Sequence, residues 1–180
     1  MDSTLTAVSA IVLLIGCCTG CGWGGKRSKQ AIPKICFMYY ESYENGSNVG
    51  FCDNSGNYYS ILKDNVKYMK LDRLMESYGA GELDNDIKLI RMCRKGELEE
   101  VYSTMIKAVK SGKCGMKVPD NLPAVEAPHS EWYGVYYDED DALATVKLHE
   151  NQCMTDINSE NENLNDVYEW FSDTFQKKIK

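Results

Sequence analysis

The stretch KICFMYYESYENGSNVGFCDNSGNYYSIL, residues 34–62, decides the fold. Lys34 to Tyr43 is rich in aromatic and other strand-favouring side chains and predicts a first strand. Asn45-Gly46 supplies the positive-φ pair that tight hairpin turns require, and Val49 to Cys52 follows as a second strand. Asp53-Asn54-Ser55-Gly56-Asn57 is a second cluster of turn residues, leading into a third strand over Tyr58 to Leu62. Three consecutive strands joined by short turns make an antiparallel meander.

Toward the carboxyl terminus the apolar period lengthens from two to about 3.6. Tyr68, Leu71, Leu74, Met75 and Tyr78 fall on one helical stripe, with Gly79 as its stop, and a second helix is expected from about Asp84 to Arg94 through Ile87 and Ile90. A third runs through Leu98, Val101, Tyr102, Met105, Ile106 and Val109 to a stop at Gly112. Its charges suit the helix dipole: Glu97, Glu99 and Glu100 lie in the first turn, and Lys107, Lys110 and Lys113 lie near the last. Pro119, Pro123 and Pro128 mark an extended connection. Trp132 to Asp138 and Ala142 to His149 then predict a hairpin around the acidic turn Asp138 to Asp141. A last helix is expected from about Glu162 to Lys177, with Leu164, Val167, Tyr168, Phe171 and Phe175 on its apolar stripe and Ser159 at capping-box spacing from Glu162. The expectation is an α+β domain: a single antiparallel sheet of about five strands, covered by helices on one side and preceded by a lipoprotein signal segment.

Toward the amino terminus, the apolar run Leu5 to Ile15 closes on Leu14-Ile15-Gly16-Cys17, which resembles the lipobox of bacterial lipoproteins. The resemblance implies cleavage before Cys17 and a diacylglyceryl group on its thiol. Residues 1–16 then form the signal segment, 17–33 a flexible basic tether rich in glycine and then lysine and arginine, and 34–180 the single domain. The expected place is the extracytoplasmic face of the cell membrane. The only charge before the apolar run is Asp2, whereas Lys26, Arg27, Lys29 and Lys34 follow it. An uncleaved span from about Ser3 to Trp23, with the domain facing the cytoplasm, is therefore the rival topology.

The chain has 20 basic and 27 acidic residues, unevenly spread. Lys26 to Pro119 holds 16 basic and 12 acidic residues, and Asp120 onward holds 4 and 14, a balance that disfavours nucleic acid as a partner. Cys36, Cys52, Cys93, Cys114 and Cys153 lie in the domain, an odd number that leaves at least one free thiol. Cys18 and Cys21 have redox-motif spacing without the surrounding βαβ pattern. His129 and His149 stand far apart, outside any zinc spacing. Asp53-x-Ser55-x-Asn57 starts like a calcium loop but has Tyr58 where an EF-hand needs glycine, and Asp138 to Asp141 reads as an exposed hairpin tip. No cofactor, metal site or catalytic set is expected.

The lipobox, the basic tether, the Gly50-Phe51-Cys52-Asp53-Asn54-Ser55-Gly56-Asn57-Tyr58-Tyr59 hairpin, the tyrosine-rich late strand and the terminal amphipathic helix together resemble a group of uncharacterised lipoproteins of Gram-positive gut bacteria. The resemblance implies location and architecture and carries no activity. Eight of the 12 tyrosines fall in expected strands. Tyr40, Tyr59, Trp132 and Tyr136 are the candidate ligand-binding residues, as an aromatic platform for sugar rings or a peptide. The preferred function is a non-enzymatic, lipid-anchored surface protein that binds a protein, peptide or glycan at the envelope. The rival is an envelope hydrolase bringing His129 or His149 beside a carboxylate or Cys153.

Overall fold

The computed structural model describes residues 31–43, 46–61, 70–122 and 129–176. The elements in chain order are β1 (Ile35–Tyr43), β2 (Gly46–Asp53), β3 (Asn57–Ile61), α1 (Leu71–Gly79), β4 (Ile87–Met92), α2 (Lys95–Lys110), β5 (His129–Tyr137), β6 (Leu143–Gln152), β7 (Thr155–Asn158) and α3 (Glu162–Gln176). The strands form one open antiparallel sheet in the order β4-β3-β2-β1-β5-β6-β7. The amino-terminal strand thus sits in the middle, with a meander on either side. The class is α+β, as expected, and the sheet is larger than the five strands expected.

Direct cross-strand partners project to the same face, so the register sorts the core into two layers. Phe37 opposes Cys52 and Gly134, and Cys52 opposes Tyr58. This face packs on α2 through Leu98, Tyr102 and Met105 and on α3 through Leu164, Val167 and Phe171. Met38 opposes Phe51 and Tyr133, and that face packs on Leu74 of α1 and on Leu83. Helices therefore lie on both faces, which corrects the one-sided expectation. The reason is residual apolar surface: Ile35, Met38, Val49, Phe51 and Ile61 point away from α2 and α3 and need a cover of their own. Burial of each such side chain contributes about 1.5–3 kcal/mol. A register shift between Ile35 and Phe37 resets the alternation, so that Cys36 and Phe37 both reach the α2/α3 layer.

The segment expected as a helix from Asp84 to Arg94 is instead a run of turns followed by β4, paired to β3 from Ile61↔Ile87 to Asn57↔Met92. β7 is a strand that the sequence reading did not anticipate. The capping box at Ser159 does not form. Asn161 caps α3 instead, its Oδ1 accepting from the Asn163 N–H at 3.1 Å, while the Ser159 hydroxyl accepts from the Asn161 N–H at 3.2 Å. The Asn45-Gly46 turn, the Tyr68 end of the α1 stripe, Pro123, Pro128, Lys177, the signal segment and nearly all of the tether lie, wholly or in part, outside the described residues.

Candidate functional site

The four aromatic residues expected to share one platform are divided between the two faces. Trp132 is 4% exposed in the α2/α3 layer, its ring 5.2 Å from Phe171 at 89° and 4.1 Å from Tyr39. Tyr136 packs against the same layer, where burial raises its pKa. Tyr40 and Tyr59 lie on the α1 face, Tyr59 with ring centroids 5.1 Å from Phe51 and 5.8 Å from Tyr78. The cause is register, since Tyr40 pairs with Glu131 rather than with Trp132.

Around Tyr40 the structure gathers a different set. Glu131 and Glu150 are cross-strand partners, as are Tyr133 and Lys147. The Lys147 ammonium donates to Glu131 Oε1 at 2.6 Å and to Glu150 Oε2 at 2.7 Å, and lies 5.7 Å from the Tyr133 ring centroid. His129 Nε2 is 3.6 Å from Glu131 Oε2, and its ring meets Tyr40 edge-on at 5.9 Å. Burial opposes charge on Glu131, but hydrogen bonds from Lys147 and Tyr133 outweigh it and hold the carboxyl below its ordinary pKa. Burial likewise opposes charge on Lys147, and the two carboxylates outweigh it and raise the ammonium. Tyr133, buried beside the Glu131 charge, is pushed up to about 12. Glu131 and Lys147 each hold the other in its charged form. A carboxylate kept ionised in this way is a poor general acid, and the cluster acts as a clamp between β5 and β6.

His149 sits on the opposite face at 2% exposure, stacked on Tyr168 with centroids 3.9 Å apart and planes at 10°. Nδ1 is 3.0 Å from Asn158 Oδ1, and Nε2 is 3.3 Å from Asp156 Oδ1 but outside hydrogen-bonding geometry. Burial lowers its pKa, so the ring is neutral at pH 7. Both histidines have a carboxylate nearby, yet His149 is closed off by Tyr168 and the carboxylate beside His129 is engaged by Lys147.

The remaining candidates are structural. Asp53, 5% exposed, accepts from the Ser55 and Asn57 N–H groups at 2.9 Å each, from Asn57 Nδ2 at 3.0 Å and from the Tyr78 hydroxyl at 2.8 Å. All its lone-pair directions serve the turn and α1, as an Asx turn requires. Asp138 Oδ1 closes the other hairpin in the same way, accepting from Asp140 N and Ala142 N at 2.9 Å. Cys36, Cys52, Cys93, Cys114 and Cys153 form no disulfide among the described residues. Cys36 and Cys52 both donate to the Asp53 carbonyl, and burial pushes the Cys52 thiol far up, which keeps it unreactive. Among the described residues no group of three or more His, Cys, Asp or Glu side chains is arranged to hold a metal ion.

The sheet edges differ. Past β7 the chain closes on itself: Met116 bridges to Ser159, and the Lys117 N–H donates to the Asn158 carbonyl at 2.8 Å. At the other edge β4 has no strand on its outer side among the described residues, and Leu89 and Met92 are 47% and 64% exposed. The sequence reading missed this edge because Ile87 and Ile90 fit a helical spacing; the period-two pair Ile87 and Leu89 around Lys88 was the signal that could have found it.

Comparison with protein families, curated proteins and solved structures finds no match for this chain.

Proposed function

We propose that the chain is a non-enzymatic, lipid-anchored protein on the extracytoplasmic face of the cell membrane, whose α+β domain binds a protein or peptide partner at the envelope. Cys17 is the lipidated residue and residues 17–33 are the tether. The likeness of the lipobox and the Gly50 to Tyr59 hairpin to uncharacterised Gram-positive lipoproteins supports the location. The outer edge of β4, open among the described residues and flanked by two exposed large apolar side chains, carries the binding reading: exposed apolar residues along an edge strand are a template for another chain. A glycan is less well served, because the division of Tyr40 and Tyr59 from Trp132 and Tyr136 removes the flat ring surface on which a sugar would stack.

Intact mass of the native protein from the membrane fraction tests the anchor. The expected species begins at Cys17 with a diacylglyceryl adduct, and Cys17→Ser abolishes it; an unlipidated chain retaining Met1 overturns the anchor. Photo-crosslinkers placed over the domain surface in living cells test the binding. A discrete crosslinked partner is expected, and its absence from every position overturns the binding reading.

A further inference from the structure

We infer that the outer edge of β4 accepts, as an eighth strand, an extended segment of a partner protein that carries acidic side chains on one face and apolar side chains on the other. The inference rests on the binding reading above and gives its partner a chemistry.

Register, with a shift between Tyr58 and Tyr59 that takes up Ile90 as an extra residue, defines the two faces of β4. Lys88 and Arg91 oppose Ser60 and Tyr58, and Tyr58 is buried in the α2/α3 layer. Leu89 and Met92 oppose Tyr59 and Asn57, and Tyr59 packs in the α1 layer. The edge thus offers two exposed cations on one side and two exposed apolar chains on the other. Arg94 and Lys95, both exposed, follow at the start of α2. None of Lys88, Arg91, Arg94 and Lys95 forms an ion pair among the described residues. A strand with alternating acidic and apolar residues would match both faces while its backbone paired with the outer groups beyond Ile87, whose own N–H donates to the Leu83 carbonyl at 3.0 Å.

A second copy of this chain fits less well. Full antiparallel overlap of two β4 strands sets Lys88 of one across from Arg91 of the other, and like charges directly opposite are destabilising. An anionic membrane would satisfy the cations, but seating Leu89 and Met92 in lipid would carry an unpaired ladder edge out of water, which a bilayer does not tolerate.

The test uses the full chain and two synthetic ten-residue peptides, one alternating Glu and Val, the other Lys and Val. The Glu/Val peptide should slow amide hydrogen exchange across Ile87–Met92 and bind more weakly as salt is raised. Lys88→Glu with Arg91→Glu should weaken it about tenfold and let the Lys/Val peptide bind instead. Lys88→Gln with Arg91→Gln, which imposes no repulsion, should fall between. No protection over β4, equal binding of both peptides to the unaltered chain, or binding of phosphatidylglycerol vesicles without binding of the Glu/Val peptide each overturns the inference. In cells, a partner that crosslinks elsewhere but not from Leu89 or Met92 overturns the inference and leaves the binding reading standing.

Discussion

Asp53 ties a turn, a strand and a helix together from a buried position. Asp53→Ala would leave the Ser55 and Asn57 N–H groups and the Tyr78 hydroxyl without their acceptor. A loss of about 3 kcal/mol is expected, seen as a lower urea midpoint at unchanged slope, with a smaller loss for Asp53→Asn. Tyr102 is the opposite case. Its hydroxyl is buried without a hydrogen-bond partner among the described residues, and burial raises its pKa. Tyr102→Phe removes that unsatisfied group and keeps the ring contact with Phe37 at 6.4 Å. The variant should match or exceed the unaltered protein by up to about 1 kcal/mol in the same urea experiment, and a clear loss would show that the hydroxyl does have an acceptor.

At the scale of elements, α2 lies close against the sheet at Gly134, where an added Cβ would overlap the Met105 sulfur of α2. Gly134→Ala should therefore push α2 outward at a cost of about 1–3 kcal/mol, and Met105→Ala in the same chain should recover part of it; additive losses would refute the steric account. Elements with a long, unambiguous period were legible from sequence. The stripes of α2 and α3 and the first meander emerge close to where they were expected. β4 was not, because six residues with isoleucines three apart satisfy two periods at once, and only pairing with β3 decides between them. Nor was β7, whose Thr-Asp-Ile-Asn carries one apolar residue and no alternation to read. The four aromatic residues divide for a related reason. Alternation sorts Trp132 with Tyr136, and pairing through β2 sorts Tyr40 with Tyr59, but the offset between β1 and β5, strands about 90 residues apart, is set by packing. A one-residue difference in that offset exchanges the faces.

For the whole molecule, the shifted groups set opposite limits in acid and base. His149 has a lowered pKa when folded, so its neutral form contributes stability above the ordinary value of 6.5, and that contribution is lost as pH falls through the lower folded value. Glu131, also lowered, contributes above 4.5 and loses its share further into acid. Lys147 is raised; its contribution is full below 10.5 and shrinks as pH rises beyond it. Melting temperature should therefore begin to fall below about pH 6.5, and His149→Gln should flatten the first part of that fall while leaving the later part in place. An unchanged profile in the variant would assign the acid sensitivity to other groups.

The central place of β1 has a mechanical consequence. Tension applied to the chain just before Ile35 enters the sheet at its middle strand, which is gripped along its length by β2 on one side and by β5 on the other. Drawing that strand out lengthwise means shearing two ladders at once, whereas the same pull on an outer strand would shear a single ladder. A domain hung from its amino-terminal end would thus bear load through a strand held on both sides.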